Sequence, residues 1–284
     1  MRNHSKIVSI LLDALPYIRL FRGSKIVIKY GGAAQINPEL KEQFAIDIVL
    51  LYMLGIQPII VHGGGKRINE LLDSLKIQSE FVDGFRVTSI DALKVVEMVL
   101  SGEINKEITS FLNFHGVNAL GISGKDAGLF SAKPKENGKY GYTGEISDVK
   151  GQVIDNLLAQ KLVPVIAPIA CGDESRHPGF NINADSAASA IAVAIKAKRA
   201  IFLTDTQGVL DDNNEVIPSL NYEKTQSLIA NGVINGGMIP KVEACLECVK
   251  NGVEKAHIID GRIPHSLLLE LFTSHGIGTE FTME

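Results

Sequence analysis

Two short apolar runs each end in a glycine cluster: Lys25-Ile26-Val27-Ile28-Lys29-Tyr30-Gly31-Gly32 and Pro58-Ile59-Ile60-Val61-His62-Gly63-Gly64-Gly65. A continuous apolar run bounded by turn residues reads as a strand buried on both faces, the kind found in parallel sheets covered by helices. A glycine turn leading from such a strand into a helix aims backbone N–H groups and a helix N-terminus at one point, which favours an anion. Two such cradles at adjacent strand ends, with Lys29 beside the first, point to a polyanionic ligand such as a nucleoside triphosphate.

The rest of the chain keeps the alternation. Strands are expected at 25–30, 57–61, 117–122, 163–167, 200–204, 256–259 and within 276–281. Helices are expected at 38–54, 66–75, 90–100, 103–114, 152–160, 183–197, 223–231, 238–250 and 265–272. Residues 129–150, rich in Lys, Tyr and Gly, read as antiparallel hairpin strands laid on this core, and 83–88 as a hairpin or loop. Asp173–Gly179 reads as a polar loop. The pattern implies an α/β fold with a mainly parallel sheet between helical layers.

The first 20 residues carry apolar side chains at 7, 10, 11, 14, 15 and 18, an amphipathic helix bent near Pro16. Asp13 and Pro16 interrupt the apolar run that a signal peptide would need, so a cytoplasmic protein is expected. At 284 residues and 45% hydrophobic, the chain can bury a sizeable core. Its formal net charge of −4 disfavours a general binder of nucleic acid or anionic membrane. No apolar stretch is long enough to span a bilayer. Cys171, Cys245 and Cys248 offer no disulfide framework. Cys245 and Cys248 share one helix face, where packing is the stronger reading than zinc or redox chemistry.

Several common motifs are missing: the P-loop, the dinucleotide fingerprint, the nucleophile elbow and the His-Glu-x-x-His zinc site. No clustered Cys/His set suggests a metal. What remains is a scatter of candidates. Lys29 ends a buried strand. His62 is either a base or a hydrogen-bond donor to its own glycine loop. Arg86 is either a carboxylate fork or a surface salt bridge. Asn181, Asn183 and Asp185 open an Ala-rich helix, where they could serve as caps. Gly236-Gly237-Met238-Ile239-Pro240-Lys241 starts another helix and places a cation against its dipole, which an anionic ligand would offset.

Taken in order, Lys29-Tyr-Gly-Gly32, His62-Gly-Gly-Gly65, Asp83-Gly-Phe-Arg-Val-Thr88, Asn181-Ile-Asn-Ala-Asp185, Leu203-Thr-Asp205 with Gly208-Val209, and Gly236-Gly-Met-Ile-Pro-Lys241 resemble the amino acid kinase family over residues 23–284. The resemblance implies a three-layer αβα sandwich around a mainly parallel sheet of about eight strands. It implies an acceptor-binding lobe at 23–195 and an ATP-binding lobe at 196–284, preceded by a regulatory helix at 1–22. The implied reaction is transfer of phosphate from ATP, carried with Mg²⁺, to the side-chain carboxylate of N-acetyl-L-glutamate, a step of arginine biosynthesis. Related kinases acting on aspartate, glutamate, carbamate or UMP are the alternatives, with a non-catalytic arginine-sensing ring as a different class.

Within that resemblance, Lys29 and Lys241 stabilise the transferring phosphoryl group and Asp185 positions them. Gly64, Gly65, Arg86 and Asn181 hold the acceptor. Gly31, Gly32, Asp205, Val233, Ile234 and Asn235 lie at the nucleotide. The N-terminal helix implies a homohexamer inhibited by arginine, bound by Tyr17, His257, Glu270 and Gly276. A PII-type signalling protein regulates some relatives. Read by itself, Glu270 is equally a solvated helix charge, and the N-terminal helix equally folds back on its own subunit.

Overall fold

The computed structural model describes residues 2–172 and 176–284; residues 173–175 of the expected polar loop lie outside the described residues. Helix α1 (Arg2–Phe21) precedes strand β1 (Lys25–Tyr30), followed by α2 (Pro38–Met53), β2 (Gln57–His62) and α3 (Gly65–Ser74). Next come the hairpin β3 (Glu80–Val82) and β4 (Phe85–Val87), then α4 (Ile90–Glu97) and α5 (Asn105–Phe114). Strands β5 (Ala119–Ser123), β6 (Phe130–Pro134) and β7 (Thr143–Val149) lead to α6 (Gly151–Ala159). Then follow β8 (Val163–Ala167), β9 (Ile169–Ala170), β10 (Phe180–Ile182), α7 (Ala184–Ala194) and β11 (Arg199–Thr204). The chain closes with β12 (Ser219–Leu220), α8 (Tyr222–Ala230), α9 (Ile239–Lys250), β13 (Lys255–Asp260), α10 (Ser266–Phe272) and β14 (Thr279–Phe281).

Eight strands form the central sheet in the order β12-β14-β13-β11-β1-β2-β8-β5. The pairs are parallel except β13 with β14, so β12 and β14 run together against the other six strands. Because side chains alternate across a strand, each apolar run feeds two cores. Val27, Ile59, Val61, Ile166, Phe202 and Ile258 pack with the buried Ala187, Ala188 and Ile191 of α7 and Val242 and Cys245 of α9. Ile26, Ile28, Ile60, Val165, Ile201 and Ile259 pack on the other face with Phe44 and Ile48 of α2 and Ile108 and Leu112 of α5. Cys245 and Cys248 are both buried here, as packing residues, and burial pushes the Cys248 thiol up to about 12.

Lys29 continues the Val27 row, so its side chain rises on the α7–α9 face. β1 sits between β2 and β11, where the chain's successive connections diverge, and ligands of open α/β sheets bind outside the carboxyl ends of such strands. The expected boundary between lobes, at 195–196, falls between α7 and β11 inside this continuous sheet.

One expectation needs correction. The helices expected at 90–100 and 103–114 form one helical run, joined by a π-helical segment at Met98–Ile104. Ser101-Gly102 reads as a break, yet Val99, Leu100 and Ile104 are buried and hold the run together. Helix α1 forms as a helix in the expected place, with Pro16 inside it. It docks by its end, where Phe21 meets Phe272 of α10 edge to face at 6.4 Å, and leaves Ile10, Leu11, Leu12 and Leu15 exposed. No helix among the described residues is long and apolar enough to cross a membrane.

Candidate active site

At the carboxyl end of β1, three charged side chains from three elements meet. Asp185 stands in the first turn of α7, which Asn183 caps by accepting the N–H groups of Asp185 and Ser186 at 2.8 and 3.1 Å. Lys241 stands in the first turn of α9 and donates to Asp185 Oδ2 at 2.8 Å. Lys29 Nζ lies 3.2 Å from Asp185 Oδ1, an ion pair without hydrogen-bond alignment. Lys29 is 9% and Asp185 5% exposed, so this is buried charge. Burial pushes the Asp185 carboxyl up, but the two ammonium groups outweigh it and hold the pKa below the usual carboxylate value. The trio carries a net charge of about +1 and sits where α7 and α9 present their positive ends. Beyond its ion pair with Asp185, Lys29 Nζ has no hydrogen-bond partner among the described residues, leaving donors for a ligand. Alanines make this convergence possible: Ala187, Ala188 and Ala192 let α7 lie close to the sheet and to α9.

The first glycine cluster shapes the space beside Lys29. Gly31 has extended backbone, and a Cβ there would sit 3.1 Å from Lys29 Nζ. Gly32 has φ +67°, and a Cβ would strike the Asp205 carboxylate. Asp205 reaches across from the end of β11 to accept the Ala33 N–H at 2.7 Å. Thus Gly31, Gly32 and Asp205 are brought together with Lys29. Val233, Ile234 and Asn235 form the turn between α8 and α9; Ile234 is buried, and no hydrogen bond among the described residues joins them to Asp205 or the glycines.

The second cluster forms the wall between two cavities. Gly63, Gly64 and Gly65 line a cavity of about 790 Å³ together with Lys29, Gly31, Gly32 and Asp205. The same three glycines line a second cavity of about 170 Å³ with Arg86, Asn181 and Asn183. That volume is below the roughly 300–1,000 Å³ typical of drug-sized ligand pockets, which suits a small metabolite. Gly64 is required by space: a Cβ would come within 2.7 Å of Leu100 Cδ2.

Arg86 is not a surface salt bridge. It is 6% exposed, donates to Ser79 Oγ at 2.6 Å and Asn69 Oδ1 at 2.7 Å, and lies 4.6 Å from the Phe81 ring centre. No described carboxylate pairs with it, and burial holds its pKa below the usual guanidinium value. A buried, pre-oriented guanidinium without an anion is a binding group for one. Asn181 is held nearby through hydroxyls: it donates to Thr88 Oγ1 at 3.3 Å, and Thr88 and Thr143 share a 2.8 Å contact. Ser79, Asn69, Thr88 and Thr143 were not singled out by the sequence. Thr88 stood within a motif, but the other three belong to no pattern and acquire their roles only through folding.

His62 resolves in favour of the loop. It is fully buried, its Nδ1 lies 3.0 Å from Gly63 O, and burial lowers its pKa to about 4. A ring that is neutral and sealed from solvent is poorly placed to exchange protons with a substrate.

A second cluster lies on the far side of the sheet end. Glu270 is not a solvated helix charge: its side chain is 5% exposed, pairs with His257 at 2.7 Å, and accepts the Ile277 and Gly278 N–H groups at 2.7 and 3.3 Å. Burial raises its carboxyl pKa, but His257 and the two amides outweigh that and leave it lowered. His257 Nε2 is buried and has no partner among the described residues. Gly276, at φ +60°, passes so close that a Cβ would lie 2.7 Å from Glu270 Oε2. His257, Glu270 and Gly276 therefore converge. Tyr17 is partly buried against the same face of the core, with no hydrogen bond to them.

Residues 24–260 match the amino acid kinase family. The acetylglutamate kinase of Wolinella succinogenes is 69% identical over 280 residues, covering 99% of both chains. That of Helicobacter hepaticus is 64% identical over 273 residues, covering 96% of this chain and 98% of its own. Among solved structures, the N-acetylglutamate synthase of Neisseria gonorrhoeae, complexed with coenzyme A and N-acetyl-glutamate, superposes with a TM-score of 0.86 at 25% identity, over 98% of this chain and 63% of that one. With the doubly covered sheet, the paired lysines and these relatives, the chain belongs to the amino acid kinase family.

Proposed function

We propose that the chain transfers the terminal phosphoryl group of ATP to the side-chain carboxylate of N-acetyl-L-glutamate, giving an acyl phosphate on the path to arginine. The observation that carries this reading is the shared glycine wall: a small cavity holding an unpaired arginine backs onto a larger one holding Lys29. The acceptor's backbone carboxylate takes Arg86 and its polar groups take Asn181, while its side-chain carboxylate reaches the Gly64–Gly65 amides. The polyphosphate lies against Lys29, Gly31 and Gly32, with Asp205 and Val233–Asn235 serving the rest of the nucleotide.

The chemistry needs no general base. A side-chain carboxylate, with a reference pKa of about 4.3, is already ionised at neutral pH. Charge spreads over the transferring phosphoryl oxygens, and positioning plus neutralisation carry the rate. Lys29 and Lys241 approach that group from opposite elements, and Asp185 keeps two like charges close without repelling them apart. Mg²⁺ would come with the nucleotide and would supply further neutralisation of phosphate charge; among the described residues no group of three or more His, Cys, Asp or Glu gathers as a metal cage. Acceptor-dependent ADP release tests the reading: N-acetyl-L-glutamate must be required, and free glutamate and aspartate must not replace it.

Arginine is the proposed inhibitor, bound where Glu270 and the unpartnered His257 Nε2 offer an anion and a ring nitrogen, and α1 is the proposed contact between subunits of a cytoplasmic hexamer. The exposed apolar stripe of α1 supports that contact, because a stripe outside the core gains by burial against a second copy. A chain starting at Arg22 is expected to form a smaller oligomer and to lose at least tenfold in arginine sensitivity. Full inhibition retained in the smaller oligomer would refute a role for the helix.

A further inference from the structure

The Gly63 carbonyl is unusual in this site because it is gripped twice. Gln35 donates to it through Nε2 at 3.0 Å, and His62 Nδ1 lies 3.0 Å away. A carbonyl only accepts, so Nδ1 carries the ring hydrogen and Nε2 is bare. Asn105 is compatible with that tautomer: the two hydrogens of its Nδ2 serve three acceptors, Val165 O at 2.9 Å, Ile122 O at 3.2 Å and His62 Nε2 at 3.2 Å, so one hydrogen is shared. The Asn105 oxygen in turn accepts from Lys106 Nζ at 3.0 Å. Asn105 is fully buried and stands directly after the π-helical segment, whose Leu100 and Ile104 press on Gly64. On the preceding side, Gly63 N donates to Tyr30 O at 2.9 Å, which ties the loop to the end of β1.

A trans peptide is planar, with its C=O and N–H pointing in opposite directions. Holding the Gly63 oxygen therefore fixes the direction of the Gly64 N–H. That N–H has no acceptor among the described residues, and it opens the first turn of α3, where further backbone donors are free. Gly64 also lines both cavities. We propose that Gln35, His62 and Asn105 are positioning residues which clamp the Gly63–Gly64 peptide so that the Gly64 N–H faces the phosphoryl group as it passes from donor to acceptor. The three lie in different elements, and none needs to touch a substrate to act. The clamp also gives His62 a purpose that its neutral, sealed ring could not serve as a base. A donor fixed in advance is worth more than one that must reorient during the reaction.

The inference rests on the phosphotransfer reading and falls with it if the wild-type chain shows no acetylglutamate-dependent ADP release. With an active wild type, the test is Gln35→Met, which preserves length and removes one grip; Gln35 is only partly buried, so folding should survive. The clamp predicts a kcat about tenfold lower, a fraction of the 10²–10³ lost when such a donor is deleted outright. Both KM values should stay within about twofold, and Tm within a few degrees. His62→Phe should lower kcat as well, and the double variant should lose less than the product of the two because both act on one carbonyl. A Gln35→Met kcat within twofold of wild type overturns the proposal. So does a raised ATP KM with kcat intact, since that would mark Gln35 as a direct contact.

Discussion

Lys241→Ala is expected to lower kcat by about 10³, roughly 4 kcal/mol of transition-state stabilisation, with the acetylglutamate KM changed by less than about threefold. Lys29→Ala should behave the same way. The reasoning is electrostatic: each ammonium is matched to charge that grows on the phosphoryl oxygens in flight, so its loss falls on the transition state rather than on acceptor binding. The trio also explains why one lysine cannot cover for the other. Lys29 and Lys241 lean on different oxygens of Asp185, at 3.2 and 2.8 Å, and removing one drops the trio's net charge from about +1 to zero, leaving no surplus positive charge for the phosphoryl oxygens. Steady-state kinetics varying each substrate decides the matter. A variant with kcat within tenfold of wild type would remove that lysine from the reaction. Lys241→Arg adds a control, since it keeps the charge but replaces a compact ammonium with a planar fork.

Arg86→Ala is expected to raise the acetylglutamate KM by about 10–100-fold, the range for losing a charge-assisted contact of 1.5–3 kcal/mol, with the ATP KM nearly unchanged. The asymmetry follows from place: Arg86 lines the smaller cavity and not the larger one. Stability should suffer little, because no carboxylate is left unpaired when the guanidinium goes. The Ser79 and Asn69 partners sit on the exposed side, where water can replace the lost bonds. An equal rise in both KM values would move Arg86 out of the acceptor site.

Much of the fold was legible because parallel strands buried on both faces leave uninterrupted apolar runs. β1, β2, β8, β11 and β13 announce themselves this way. The direction of β14 was not legible: three residues carry no signal of partner or orientation. The π-helical join was hidden for a different reason. Ser101-Gly102 weakens helix propensity locally, and only the burial of its neighbours overrides it.

Within the site, the lysines and glycines stood out because charge or glycine stands where an apolar pattern ends, whereas Arg86, in a short polar turn, read equally well as a surface salt bridge. Gln35, Asn69, Ser79, Asn105 and Thr143 were not, because a polar residue on a loop or helix looks the same whether it faces water or a buried carbonyl. Asn105 finds its partners at Ile122 and Val165, far along the chain, and only the folded sheet brings them together. Resemblance to a family supplied roles, but the geometry supplied the reason that Arg86 is buried without a counter-ion.

Direct transfer from ATP to the acceptor's side-chain carboxylate leaves an acyl phosphate, which hydroxylamine traps. The most direct measurement is ADP release read beside hydroxylamine capture of the acyl phosphate as a hydroxamate. Equal amounts of ADP and hydroxamate are expected with N-acetyl-L-glutamate, and neither above background with glutamate or aspartate. ADP without hydroxamate, or hydroxamate formed equally well from free glutamate, would contradict it.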